Sequence, residues 1–139
     1  MFKPKSNKKE FMMKKLLLIS VGLFLISCGD SHDSIWNEKT IILEKIATIL
    51  ESVTDEVSEE KAIQDLETIK KNLNDLSSRN NAMIPHNEAE KNKITNKYVQ
   101  KSSAAVERMQ NSASKVPLKV VQKLGELFTG ENKWILSNP

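Results

Sequence analysis

The chain has 139 residues, of which 39% are hydrophobic and 28% charged, with a formal net charge of +3. This length suits one small domain with a short leader. The positive charge comes from residues 1–27, which carry six lysines and one glutamate, whereas the remainder carries 15 basic and 17 acidic side chains. Because that remainder is not basic, we expect no nucleic-acid partner.

The first element is an apolar run from Leu16 to Ile26, preceded by Lys14 and Lys15. Such a run is too short for a helix that crosses a bilayer, which needs about 20 residues. A positive start, a short apolar middle and small residues at the end are typical of a secretory signal peptide. We therefore expect residues 1–27 to be a signal peptide. Its lead, residues 1–11, is long and basic, and translation from Met12 or Met13 is the alternative.

The run ends in Leu25, Ile26, Ser27 and Cys28, which is the only cysteine of the chain. This ending resembles the lipobox of bacterial lipoproteins. The resemblance implies that Cys28 receives a diacylglycerol, becomes the N-terminus after cleavage and is acylated, for example with palmitate. It also implies a lipid anchor in a membrane of the bacterial cell envelope. Gly29 directly after the cysteine favours the outer membrane of a Gram-negative cell, and an ordinary signal peptide or an uncleaved anchor remains the alternative.

The part after the cysteine has the composition of an all-α protein. It contains only three glycines, and its prolines stand between or after periodic segments rich in Leu, Ile, Lys and Glu. This composition predicts a small antiparallel helical bundle, built as a long helical hairpin with two further helices. We divide it into a lipidated tether over residues 28–34, a helical domain over 35–130 and a C-terminal tail over 131–139.

Apolar spacing of three and four places the first two helices. The first is predicted over residues 35–53 with Ser34 as its cap, and the second runs from the cap Ser58 to near Ile84, where Pro85 disfavours helix. The short connection makes the two helices antiparallel neighbours. We expect Leu73 to lie on the seam between them.

Two shorter predictions complete the bundle. A third helix is predicted over 87–113 with Asn87 as its cap, and its thin apolar face predicts weaker burial. A fourth is predicted over 116–129, with Pro117 in its first turn and Gly130 as its stop. For the tail we expect no more than a contact of Trp134.

Two segments of the helical part carry a further resemblance. The spacing in "VTDEVSEEKAIQDL" and "YVQKSSAAVERMQ" loosely resembles that of small uncharacterised exported helical proteins of planctomycete and verrucomicrobial type. The resemblance implies the helical hairpin and no activity.

Histidines are the first place to look for chemistry. His32 lies in the predicted tether, and His86 follows Pro85 with Glu90 four residues on. A zinc site needs three or four ligands, so we expect both to be solvated turn histidines and predict no metal, no cofactor and no catalytic residue. An enzyme or a metal-binding protein that uses His86 is the alternative.

Charge distribution is the remaining signal. Residues 51–67 hold seven acids and one lysine, whereas helical geometry places Lys93, Lys97, Lys101 and Arg108 on one side of the third helix. We call these four residues the basic stripe. Three interpretations are open: a solvated face, attraction of basic residues to the acidic turn between the first two helices, and contact with an anion such as a lipid headgroup, an envelope polymer or an acidic protein.

The sequence thus favours a membrane-anchored envelope lipoprotein that is not an enzyme and has a structural or protein-interaction role. Its partners would be the membrane, through the lipid on Cys28, and an unknown envelope protein or polymer. A carrier of a lipid or another small ligand is an alternative, although few aromatic residues and narrow apolar faces argue against a large cavity.

Overall fold

The computed structural model describes residues 30–137, and all regular secondary structure in that range is helical. Four α-helices and one 3-10 helix follow one another along the chain: α1 His32–Glu51, α2 Glu56–Asn81, α3 Glu88–Ala113, α4 Leu118–Leu127 and η1 Gly130–Leu136. The prediction of an all-α helical bundle is confirmed. Within this range no helix has the length and apolar character needed to cross a membrane. The predicted signal peptide and Cys28 lie outside the described residues.

The helices pack in the order α3, α1, α2, α4, and η1 rests on α2. The core between α1 and α2 is formed by residues that are at most 5% exposed: Ile42, Ile46 and Leu50 of α1 with Leu66, Ile69, Leu73 and Leu76 of α2. These side chains recur at steps of three and four, which puts them on one face of each helix. The predicted hairpin seam, including the buried Leu73, is confirmed.

Helix α1 begins earlier than predicted, at His32 and not at Ile35. The reason is a capping box: the Ser31 hydroxyl accepts from the Ser34 backbone N–H at 3.1 Å, and the Ser34 hydroxyl accepts from the Ser31 N–H at 3.0 Å. This exchange satisfies two N–H groups that a helix start otherwise leaves without partners. The helix therefore includes residues 32–34 of the predicted tether.

Helix α2 is displaced in the same sense. Its cap is Asp55 and not Ser58, because the Asp55 carboxylate accepts from the Ser58 N–H at 2.8 Å while the Ser58 hydroxyl accepts from the Asp55 N–H at 2.9 Å. The helix ends at Asn81, short of the predicted end near Ile84. Asparagines are poor helix formers, and Pro85 disfavours a continuation.

Helix α3 has the predicted cap, since the Asn87 side chain accepts from the Glu90 N–H at 2.9 Å. The prediction of weaker burial is confirmed, since five of its 26 residues are buried, against nine of the 20 residues of α1. Helix α3 nevertheless makes the most extensive helix–helix contact of the described residues, with α1. Small residues on its inner face, such as the buried Ala105, let the two helices approach closely. A hydrogen bond of 3.0 Å joins the hydroxyl groups of Ser102 and Thr40 across this contact.

Helix α4 is shorter than predicted, because Pro117 occupies the cap position and Leu127 is the last helical residue. Gly130 does not directly follow it but opens the 3-10 helix η1 with a φ of 58°, a backbone conformation that glycine adopts most readily. No element was predicted for the tail beyond a contact of Trp134, yet η1 forms there, and its Ile135 and Asn132 are buried.

Candidate functional site

The end of the domain nearest in sequence to Cys28 combines the start of α1 with the turn between α2 and α3. We call this the proximal end: residues 31–33 and 82–87. The His32 Nε2 atom lies 2.7 Å from the Ile84 carbonyl oxygen, which can only accept, so Nε2–H is the donor. The rings of His32 and His86 meet edge to face with centroids 4.4 Å apart. These contacts fasten the turn to the first residue of α1.

His86 is therefore not a solvated turn residue as expected. It is half-buried against His32, and the Nδ1 atoms of both rings are buried without a hydrogen-bond partner. Between residues 30 and 137, no three side chains from His, Cys, Asp and Glu are grouped so that they could hold a metal ion. The two histidines alone fall short of the three or four ligands of a zinc site.

The basic stripe lies on the exposed side of α3, and two of its members bind acids of α1. Lys97 Nζ lies 2.8 Å and 3.0 Å from the two carboxylate oxygens of Asp33, and the Tyr98 hydroxyl donates to the same group at 3.1 Å. The Lys97 ammonium holds the pKa of Asp33 below its usual range, and Asp33 raises the pKa of Lys97. This pair ties α3 to α1 at the proximal end.

Arg108 makes the second pair, near the other end of α1. Its Nε and Nη2 atoms donate to the two carboxylate oxygens of Glu51 at 2.8 Å and 2.6 Å, a two-point contact that fixes orientation. The guanidinium lowers the pKa of Glu51, and the carboxylate raises that of Arg108. Lys93 and Lys101, the other members of the stripe, are exposed.

Further bases approach the acidic segment from α4 and its preceding turn. Lys123 donates to Glu67 of α2 and, at 3.1 Å, to Glu126. Lys115 lines a shallow pocket together with Asp55, Glu56 and Glu59 at the other end of the domain. We call that end, formed by the turns 52–55 and 114–117, the distal end. The contacts fit the interpretation in which bases neutralise the acidic turn, and contact of the stripe with an external anion stays a prediction.

A buried lysine is the feature that sequence reasoning missed. The Lys39 side chain is only 1% exposed, and its Nζ atom lies 3.7 Å from the Trp36 ring centroid and 5.3 Å from that of Trp134. It donates a hydrogen bond to the carbonyl of Ser137. Burial lowers the pKa of Lys39 to about 7. The lysine thereby fastens the end of η1 to α1.

The spacing of Lys39 from its apolar neighbours in α1 could have predicted this burial. Lys39 follows Ile35 by four residues and precedes Ile42 by three, which places it on the apolar face. A second polar group lies nearby: Trp134 Nε1 donates to the Ser77 hydroxyl at 2.9 Å, and that hydroxyl donates to Asn132 at 2.5 Å. These hydrogen bonds hold η1 on α2.

A groove of about 270 Å³ runs between α3 and α4 and is almost entirely apolar. Its walls include Val106 and Met109 of α3 and Val121, Leu124 and Phe128 of α4. It is open to solvent, and its lining is that of a site for an apolar group rather than for a charged one.

Comparison of the chain with protein-family models, curated proteins and solved structures gave no match.

Proposed function

We propose that the protein is a bacterial lipoprotein whose diacylated Cys28 holds a helical domain at the surface of an envelope membrane, with the outer membrane favoured in a Gram-negative cell. The observation that carries this proposal is the sequence Leu25, Ile26, Ser27, Cys28 at the end of a short apolar run preceded by two lysines. Two acyl chains anchor a protein stably, whereas one gives only marginal binding.

We further propose that the domain acts as a structural or protein-interaction module and not as an enzyme. The proposal is supported by the ion pairs that the domain's charged side chains form between helices. Lys97, Arg108 and Lys123 each bind a carboxylate on another helix, and Arg79 of α2 binds Glu38 of α1 through two contacts of 3.0 Å and 3.1 Å. Groups engaged in this way hold helices together, and they leave the outer faces and the distal end to meet a partner in the envelope.

The anchor is tested by metabolic labelling with a radioactive fatty acid and by detergent phase separation. Wild-type protein should carry the label and enter the detergent phase, and Cys28→Ser should do neither. A matched control moves the only thiol of the chain to an exposed site on α3, in the double variant Cys28→Ser with Ser103→Cys. This control should also stay unlabelled, because position 103 lies outside the lipobox. Equal label on wild type and Cys28→Ser would refute the anchor.

The interaction role is tested by affinity capture of the mature protein from envelope extracts after chemical crosslinking. We expect one or a few envelope components to be enriched over a control bait in which Val57, exposed at the distal end, and Leu118, exposed at the start of α4, are both replaced by Asp. Identical capture by both baits would show that the distal end is not the contact surface.

The apolar groove favours one second candidate, a carrier of an acyl chain or another small apolar ligand. Gly125 lines this groove, and a Cβ atom added there would meet no other atom within 4 Å. Gly125→Leu should therefore fold normally and fill the groove. Fatty-acid binding to wild type, Gly125→Leu and the control Gly125→Ala is measured by calorimetry. Loss of binding in Gly125→Leu alone would support the carrier, and absence of binding in all three proteins would refute it.

A further inference from the structure

The proximal end presents one strongly exposed apolar side chain. Ile84 is 85% exposed, and the adjacent Pro85 is exposed as well. A single exposed isoleucine is ordinary in a soluble domain. What distinguishes Ile84 is that its own carbonyl is held by His32 at 2.7 Å while its side chain points away from the core. The hydrogen bond from His32 holds the turn in place, and this fixes the direction in which the Ile84 side chain points.

Chain length places this turn close to the proposed anchor. Three peptide steps separate Cys28 from Ser31, and an extended chain advances at most about 3.6 Å per residue, so Ser31 lies within about 11 Å of Cys28. His32, the next residue, is the one that holds Ile84. A lipid-bearing Cys28 at the membrane surface would therefore keep the start of α1, and the turn that His32 holds, near the headgroups.

From these observations we propose that the membrane itself is the partner of the proximal end. Ile84, at the tip of the turn between α2 and α3, enters the headgroup region of the bilayer to which Cys28 is anchored. This inference rests on the proposed lipid anchor. It goes further in assigning the protein an orientation: the proximal end faces the membrane, and the distal end lies farther out, by at most roughly 39 Å, the length of the 26 residues of α3.

The contact is apolar rather than electrostatic. Charged residues of both signs lie beside the turn and at the start of α3: Asp33, Glu88, Glu90, Lys91, Lys93 and Lys97. Lys97 is already paired with Asp33. One isoleucine would bind a membrane weakly by itself, but the anchor makes the contact intramolecular and so raises its effective concentration. The acyl chains supply attachment, and Ile84 sets the angle at which the domain stands.

The experiment uses the acylated full-length product, in which Cys28 carries the lipid and offers no thiol. Ile84→Cys then provides the one free thiol for an environment-sensitive fluorophore. Val57→Cys is the matched control, because Val57 is also apolar and 78% exposed but lies at the distal end. Both proteins are placed in vesicles of phosphatidylethanolamine and phosphatidylglycerol, with and without nitroxide-labelled lipid, at low and high salt.

We expect the fluorophore at position 84 to emit at shorter wavelength and to lose emission when nitroxide lipid is present, at both salt concentrations. The fluorophore at position 57 should show neither change. Equal behaviour of the two positions on a protein whose Cys28 is acylated would overturn this inference alone. Mass spectrometry of the N-terminal peptide separates the two proposals, because an unmodified Cys28 would overturn the anchor and the orientation together.

Discussion

Lys39 Nζ lies 3.7 Å from the ring centroid of Trp36, on a side chain that is 99% withdrawn from solvent. Two effects oppose each other at this position. The face of the indole ring and the Ser137 carbonyl favour the charged ammonium, whereas loss of water favours the neutral amine. Burial is the stronger effect, since the pKa of Lys39 falls from 10.5 to about 7.

This balance predicts a domain that becomes more stable as the pH rises above 7. Between pH 7 and 10.5 the unfolded chain binds more protons at Lys39 than the folded chain does, so the free energy of unfolding increases with pH across that window. Each pKa unit corresponds to about 1.4 kcal/mol, so the increase should reach a few kcal/mol. Below pH 7 the lysine is charged in both states, and its contribution should not change further.

Urea denaturation at pH values from 6.5 to 10 measures this increase, with Lys39→Met as the comparison. Methionine keeps the apolar length of the side chain without the charge. The variant should be more stable than wild type near neutral pH, and the advantage should vanish as the pH approaches 10. Parallel stability curves for the two proteins would show that Lys39 does not titrate in this window.

The seam between α1 and α2 predicts a large effect at its centre. Leu73 is 0% exposed, so Leu73→Ala removes buried methyl groups and leaves a cavity, at a cost of about 2–5 kcal/mol. The same substitution at Leu118, which is 70% exposed, should change the free energy of unfolding by less than about 0.5 kcal/mol. Thermal melts followed by circular dichroism compare the two. Similar losses in both variants would contradict the packing of α2.

Two adjacent residues of the 3-10 helix η1 test whether this helix contributes to the stability of the domain. Ile135 is 0% exposed and Leu136 is 50% exposed. We expect Ile135→Ala to destabilise the domain by about 2–5 kcal/mol if η1 is part of the cooperative core, and Leu136→Ala to have a much smaller effect. Chemical denaturation followed by tryptophan fluorescence reports on Trp134 in the same helix. A small effect of Ile135→Ala would mean that η1 detaches before the bundle unfolds.

Two members of the basic stripe form ion pairs with α1 and two are simply exposed, so replacing the two sets should affect the melting temperature differently. Replacing Lys97 and Arg108 with Gln removes the pairs with Asp33 and Glu51, so the melting temperature should fall. The fall should shrink in 1 M salt, where charges interact over only about 3 Å.

The matched control replaces the other two members of the stripe, Lys93 and Lys101, with Gln and should melt like wild type. Binding of both double variants to anionic vesicles is measured in parallel. If the control variant kept its melting temperature but lost vesicle binding, the exposed half of the stripe would be an anion site rather than a solvated face.

Much of the fold could be predicted from the sequence because apolar spacing fixes which face of a helix is buried. Leu66, Leu73 and Leu76 lie on the predicted seam for this reason. The starts of α1 and α2 were displaced because each has two polar residues three apart, and only the backbone geometry decides which one is the cap. Ser31 and Ser34 show this, since the hydroxyl of each accepts from the other's N–H.

The candidate sites were less accessible to sequence reasoning, because their partners are distant along the chain. Lys97 binds Asp33 over 64 residues, and Lys39 binds the Ser137 carbonyl over 98. The charges along one helix do not indicate which acidic residue of another helix will lie opposite them. The buried Lys39 was missed for a different reason: a lysine on an apolar face usually carries its charge out to solvent along its flexible stem.

The position of α1 between α2 and α3 has a mechanical consequence. Of the described helices, α1 is the one nearest in sequence to Cys28, so a pull through the proposed lipid anchor would enter the domain at the start of α1. Because α1 packs against two helices, it can move along its axis only by sliding past both. The Glu51–Arg108 pair to α3 and the Glu38–Arg79 pair to α2 resist that sliding. Shear loading of this kind spreads the force over many contacts, whereas a peripheral helix would peel away one turn at a time. If the proposed anchor is present, this packing would let the domain bear tension at the start of α1.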